Sequence, residues 1–304
     1  MGIKSALSKV FASFVVKGID QWKYDAVSAQ QRTLLQLISG AKNTAFGKDH
    51  QFANIKNYAD FKANVPVRDY EDLKPYIERV VAGEPDILWK GKPEYLAKTS
   101  GTTSGVKYIP ISKQSMPEHI KAARNALLTY IHETGNASFV DGKVIFLQGS
   151  PLLTQKNGIK VGRLSGIVAH LVPAYLQKNR MPSYETNCIE DWEQKVDAIV
   201  DETINADMRL ISGIPPWVQM YFDKLTEKSG GKQIKDIFKN FQLFVYGGVN
   251  FEPYRAKIEA SIGKKIAAIE TYPASEGFIA YQDSQTEKGL LLLANAGMFY
   301  EFIP

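Results

Sequence analysis

One cysteine, Cys188, is all that the 304 residues hold. A single thiol forms no disulfide within the chain. That fits a reducing cytoplasm and leaves Cys188 as a small filler thiol. Histidine is nearly as scarce. His50, His119, His132 and His170 are dispersed with no His-x-x-x-His pair, and no zinc-ligand spacing occurs. A strained Gly-x-Ser-x-Gly nucleophile turn and a dinucleotide Gly-x-Gly-x-x-Gly fingerprint are also missing. No stretch of 18 apolar residues exists, so no segment reads as a membrane-spanning helix. No run of five or six like charges occurs either. The net charge of +5 and pI near 8.9 therefore do not suggest a nucleic-acid partner, which would want its cations gathered.

What is there is an ordinary globular composition, 44% hydrophobic and 23% charged, in a chain long enough to need no disulfide or metal staple. Ile3, Leu7, Val10, Phe11, Phe14 and Val15 recur at helical spacing, and Lys9 interrupts any signal-peptide core. The spacing predicts an amphipathic helix packed on the body, with a helix lying on a membrane surface as the second reading. Helices are further expected over 30–39, ended by Gly40, over 58–64, and over 69–83 with Asp69 as N-cap and Gly83 as terminator.

After residue 95 the texture turns α/β. Strand-like runs (95–98, 108–111, 143–148, 208–212) alternate with helical ones (117–132, 192–204, 218–228), with Pro215-Pro216 turning the chain into the last of these. The clearest unit is strand 241–246, helix 252–262 and strand 265–271, a βαβ crossover of a parallel sheet. Ligands of such sheets lie beyond the carboxyl ends of the strands, where Gly247-Gly248 and residues 272–277 fall. Residues 290–294 and 298–303 read as a closing hairpin, and Pro304 follows it in mid-sheet, as in the N-terminal part of a longer protein. Residues 1–94 form a largely helical subregion, and 95–304 an α/β core.

The strongest chemical signal is residues 100–107, SGTTSGVK. Gly101 and Gly105 let backbone N–H groups converge on an anion, and Ser100, Thr102, Thr103 and Ser104 add hydroxyl donors. Lys107 supplies a charge. The pattern is not that of nucleoside-triphosphatase loops. Three residues separate the glycines where four are needed, and Val106 stands between Gly105 and Lys107. A second signal is Tyr272-Pro-Ala-Ser275-Glu276 after a buried strand. Tyr272 suits a base pocket or the core, and a lone Glu276 suits Mg²⁺ on a triphosphate or a turn. Gly247-Gly248 suits close approach of a flat ligand, or a plain turn.

Taken in order, these segments resemble the adenylate-forming superfamily of luciferase and acyl-CoA ligases. More closely, the chain is similar to the Gretchen Hagen auxin-responsive-promoter family of acyl acid-amido synthetases. The resemblance is carried by 43–52 (NTAFGKDHQF), 65–84 (VPVRDYEDLKPYIERVVAGE), 100–110 (SGTTSGVKYIP), 246–250 (YGGVN), 272–277 (YPASEG) and 299–304 (FYEFIP). It implies the N-terminal domain of an adenylate-forming enzyme, with parallel and mixed sheets flanked by helices and the C-terminal domain lying beyond residue 304. It also implies ATP and Mg²⁺, a carboxylic acid substrate and an amine or amino-acid acceptor, with activation as an acyl-adenylate. In that scheme Ser100, Gly101, Thr102, Thr103, Ser104 and Gly105 hold phosphates, with Lys107 beside them. Gly247, Gly248 and Tyr272 lie near adenine, Ser275 near the acyl phosphate, Glu276 on the metal and Arg124 near the acid. The alternatives are an acyl-CoA ligase and a non-catalytic nucleotide-binding module. No oligomeric state follows from the sequence.

Overall fold

The computed structural model describes residues 2–100, 105–172 and 177–303. Before Tyr95 these are helical: Ile3–Lys23, Ala26–Ala41, Ala45–Asp49, Tyr58–Asn64 and Tyr70–Val81. The Asp69 cap is there as a full capping box. Its side chain accepts the Asp72 N–H at 3.0 Å, and Asp72 accepts the Asp69 N–H at 3.4 Å. Gly83 follows the helix with φ +89°. Gly40 does not stop its helix. It lies inside the last turn, where the Trp89 ring occupies the space a Cβ would need.

The strands are β1 (Tyr95–Ser100), β2 (Val106–Ile111), β3 (Lys143–Phe146), β4 (Thr154–Lys156), β5 (Ile159–Gly162), β6 (Arg180–Met181), β7 (Met208–Ser212), β8 (Leu243–Gly247), β9 (Ala267–Pro273), β10 (Phe278–Tyr281) and β11 (Leu291–Leu292). Four form a small sheet in the order β2-β1-β5-β4. The other seven form a sheet in the order β11-β10-β9-β8-β7-β3-β6. From β6 to β9 it is parallel, with β10 and β11 antiparallel at the edge. The chain places β6 on one side of β3 and then adds β7, β8 and β9 on the other. The strand order thus reverses at β3, the kind of point where open sheets hold ligands.

Alternation along β8 builds both cores. Leu243 and Val245 join Leu210 and Ile269 under the helix Met116–Thr134. Phe244 and Tyr246 join Ile211 and Phe222 under the helices Trp192–Thr203, Pro215–Lys228 and Glu252–Ile262. With both faces covered, the central strand β8 is apolar from Leu243 to Tyr246, and so reads as a continuous apolar run in sequence. The prolines 215 and 216 occupy the first positions of their helix, where a missing N–H costs nothing.

Two further expectations fail. Residues 298–303 are not a strand. Leu291-Leu292 pairs with Ala280 and Tyr281 of β10 instead. The Gln30 side chain satisfies the backbone of the tail, donating to the carbonyls of Ala294 at 2.7 Å and Met298 at 2.9 Å and accepting the Tyr300 N–H at 2.8 Å. The N-terminal helix packs on the body, but by the opposite face from the apolar one. Ser5, Ala12 and Ile19 are its buried residues, set against the helix Met116–Thr134.

Candidate functional site

The hydroxyl-rich segment connects two strands that pair as a β-hairpin. β1 and β2 pair antiparallel from Tyr95↔Ile111 to Ser100↔Val106. Ser100 thus ends one strand, and Gly105, at φ +86°, leads back into the other. Gly101, Thr102, Thr103 and Ser104 lie outside the described residues. Lys107 pairs with Thr99, and its ammonium sits over the Tyr70 ring, 4.8 Å from the centroid. The Tyr70 hydroxyl in turn accepts the Tyr108 N–H at 3.0 Å. The capped helix Tyr70–Val81 therefore buttresses the hairpin just behind its tip.

The glycine pair sits at the carboxyl end of β8, beside β9. Gly247 is opposite Thr271, whose Oγ1 donates to the Tyr246 carbonyl at 2.9 Å. A Cβ on Gly247 would collide with the Thr271 carbonyl oxygen, so the neighbouring strand alone demands glycine there. Gly248 has φ +83°, which turns the chain out of the sheet. Beneath them Tyr246 is buried, its hydroxyl 3.4 Å from Glu270, and burial followed by that carboxylate pushes its phenol up to about 12. The helix Glu252–Ile262 follows, but Asn250 already takes its first N–H at 3.1 Å and Glu252 adds a negative charge there. That helix start is not an open anion site.

β9 turns directly into β10. The Ala274 N–H donates to the Gly277 carbonyl at 3.0 Å and the Gly277 N–H to the Ala274 carbonyl at 3.3 Å, leaving Ser275 and Glu276 as a two-residue hairpin tip. Met298 fills the space beside Gly277, which excludes a side chain there. Glu276 is exposed, and Tyr272 stands 52% exposed at the strand end, an open ring face unlike the buried Tyr246. The structure thus brings Gly247, Gly248, Tyr272, Ser275 and Glu276 together at two adjacent strand ends. It does not bring Arg124 there. That guanidinium is exposed, lies over the Phe11 ring of the N-terminal helix at 5.6 Å, and donates to Asn125 at 3.0 Å.

The reversal at β3 adds residues that sequence reading did not single out. Gln148 follows β3, and its amide nitrogen is buried without a partner among the described residues. A side chain on Gly149 would begin within 3.5–3.7 Å of Arg163 and Ser165. The contact joins the end of β3 in the large sheet to residues that follow β5 in the small one, so no local pattern marks it. Among the described residues no cluster of three or more His, Cys, Asp or Glu stands ready to hold a metal. A single free carboxylate such as Glu276 fits Mg²⁺ where phosphate oxygens complete the shell.

A parallel sheet with an antiparallel edge, joined to a smaller sheet built on the β1–β2 hairpin, is a fold shared with solved ligases. Among solved structures the chain resembles the GH3.15 acyl acid amido synthetase, with TM-score 0.72 at 15% identity over 92% of this chain and 59% of that one. It also resembles a 2-hydroxyisobutyryl-CoA ligase, with TM-score 0.56 at 14% identity over 89% and 53%. The model of the GH3 family N-terminal domain matches residues 15–184, more than half of the sequence, and the chain belongs to that family. It is similar to jasmonoyl–L-amino acid synthetase JAR4 of Nicotiana attenuata, 24% identical over 49% of this chain and 26% of that one. It is also similar to indole-3-acetic acid-amido synthetase GH3.15 of Arabidopsis thaliana, 40% identical over 25% and 13%. The chain spans 59% of the length of that solved relative, and the alignments to these two curated relatives cover at most 26% of theirs.

Proposed function

We propose that this chain forms the ATP- and acid-binding part of an acyl acid-amido synthetase. The observation that carries the reading is the juxtaposition of Gly247-Gly248 and Tyr272 with the Ser275-Glu276 tip, at the carboxyl ends of β8 and β9. In this reading a carboxylate oxygen of the acid bonds to the α-phosphorus of ATP as the bond to pyrophosphate breaks. The nitrogen of an amino acid then bonds to the acyl carbon as the bond to AMP breaks, and the amine proton passes to solvent.

No side chain need become covalently attached, so the work is orientation and charge compensation. Tyr272 offers a face for adenine, and Gly248 leaves the approach free of a side chain. The hydroxyls and backbone N–H groups of residues 100–105 hold phosphate oxygens, and Lys107, held over Tyr70, keeps a positive charge beside them. Glu276 would bind Mg²⁺, which offsets the charge of the triphosphate. Ser275 faces the acyl phosphate.

Calorimetry of ATP binding to the chain tests the reading. The Thr102→Ala/Thr103→Ala variant should bind ATP about tenfold more weakly, a loss of about 1.4 kcal/mol, with the melting temperature unchanged. In Glu276→Gln the affinity should lose most of its Mg²⁺ dependence. A double variant that melts early yet binds ATP normally would show the hairpin tip to be structural and sink the proposal. Acid-dependent pyrophosphate exchange, followed by amino acids and coenzyme A compared as acceptors, separates an amide synthetase from a thioester-forming ligase.

A further inference from the structure

The N-terminal helix shows its apolar face to solvent. Ile3 is 82% exposed, Leu7 65%, Val10 73%, Phe14 75% and Phe11 44%. At about 100° per residue, Ile3, Leu7, Val10 and Phe14 make one stripe about 16 Å long, opposite the buried stripe of Ser5, Ala12 and Ile19. This rotation is fixed at several points. The Gly2 N–H donates to Asp141 at 3.1 Å, Ser5 Oγ donates to the Ala137 carbonyl at 3.2 Å and also bonds Asp141, and Lys23 pairs with Asp283 at 2.6 Å. Turning the apolar side chains inward would break all of these contacts.

Charge says what the stripe fits. Lys4 and Lys17 flank it on opposite sides, with Lys9 half-buried behind. None of the three has an acidic partner within 4 Å among the described residues. The first acidic residue of the chain is Asp20. The helix Ile3–Lys23 itself holds Lys4, Lys9, Lys17 and Lys23 against Asp20 alone, a net charge of +3 out of the chain's +5. Spacing hides the concentration, since no two of these cations are adjacent. Arg124, laid over Phe11, adds a further cation at the edge of the stripe.

We propose that this face docks the protein on an anionic lipid bilayer, with Ile3, Leu7, Val10, Phe11 and Phe14 entering the headgroup region and Lys4 and Lys17 meeting lipid phosphates. A single short stripe is small beside the ~800 Å² per partner that stable protein pairs bury. A bilayer needs no shape-complementary partner, only apolar side chains flanked by cations. The helix is anchored at Ala137 and Asp141, just before β3 begins, while the glycine pair and Glu276 lie past the opposite, carboxyl ends of the strands. Docking therefore leaves the nucleotide site open. The proposal does not rest on the reading of that site.

Co-sedimentation of the chain with vesicles tests it. The protein should pellet with phosphatidylcholine vesicles that contain about one third phosphatidylglycerol in about 0.1 M salt, and several-fold less in about 0.5 M salt or with phosphatidylcholine alone. Leu7→Glu/Val10→Glu/Phe14→Glu should abolish pelleting and leave the melting temperature unchanged, because these side chains are already in water. Lys4→Gln/Lys9→Gln/Lys17→Gln should remove the preference for anionic vesicles. Equal recovery with neutral and anionic vesicles, or pelleting that survives the triple Glu change, would overturn the proposal. So would a concentration-dependent dimer that the same change makes monomeric, since the face would then belong to a second copy.

Discussion

Gly247 has two potential reasons to be glycine, and they separate by experiment. As half of a glycine pair at a strand end it admits a flat ligand. As the partner of Thr271 it leaves room for a carbonyl oxygen held in the β8–β9 ladder. That oxygen cannot swing away, so a methyl group must push the strands apart, at a cost of about 1–3 kcal/mol as for other overpacked sites. Gly247→Ala should therefore melt several degrees earlier in a thermal scan even without nucleotide. An unchanged melting temperature with weakened ATP binding would assign the glycine to the ligand alone. The pair itself was legible, as two glycines after an apolar run. The Thr271 carbonyl was not, because a contact across 24 residues has no local signature. The same holds for Gly149 and Arg163, which meet where the end of the large-sheet strand β3 approaches residues after β5 of the small sheet.

At the scale of elements, sequence reading succeeds where a local rule decides. Asp69 caps its helix, Gly83 ends it, and the unit from β8 to β9 has the expected helix between its strands. It fails where a distant side chain decides, as with Trp89 over Gly40 and Gln30 on the tail at Met298 and Tyr300. It also failed on the amphipathic helix, since periodicity finds an apolar face without saying whether that face is the buried one. A similar long-range contact governs the helix Tyr184–Asn187. Burial by itself would raise the Glu202 carboxyl, but Ser183 Oγ, Thr186 Oγ1 and the Ser183 N–H all donate to it and hold it below its ordinary 4.5. A depressed carboxyl stabilises the fold above its unfolded value, and that contribution is lost as pH falls through the folded value. Glu202→Gln should lower the melting temperature at pH 7. It should also flatten the decline that wild type shows below 4.5. A variant that keeps the wild-type slope in acid would place the titrating group elsewhere.

For the whole molecule the governing element is the helix Met116–Thr134. Its first residue, Met116, packs with Tyr95, Ala97 and Ile111 of the small sheet, while Ala122, Ala126, Tyr130 and Ile131 pack with Leu243, Val245, Ile269 and Tyr281 of the large one. The N-terminal helix lies on its outer side through Ala12. A single rod thus joins both sheets to the face that we assign to lipid, and neither sheet keeps its full core without it. Despite its size, the chain should then unfold in one calorimetric transition, with equal calorimetric and van't Hoff enthalpies. Hydrogen exchange should show peptides from β1 and β5 opening with the same free energy as peptides from β8 and β9. Ala126 is buried against the large sheet, so Ala126→Phe overpacks only that side, by about 1–3 kcal/mol. If the helix couples the sheets, protection in β1 and β5 should fall by the same amount as in β8 and β9. Unchanged protection in the small sheet would mean that the hairpin carrying residues 100–107 folds independently of the strand ends it is proposed to serve.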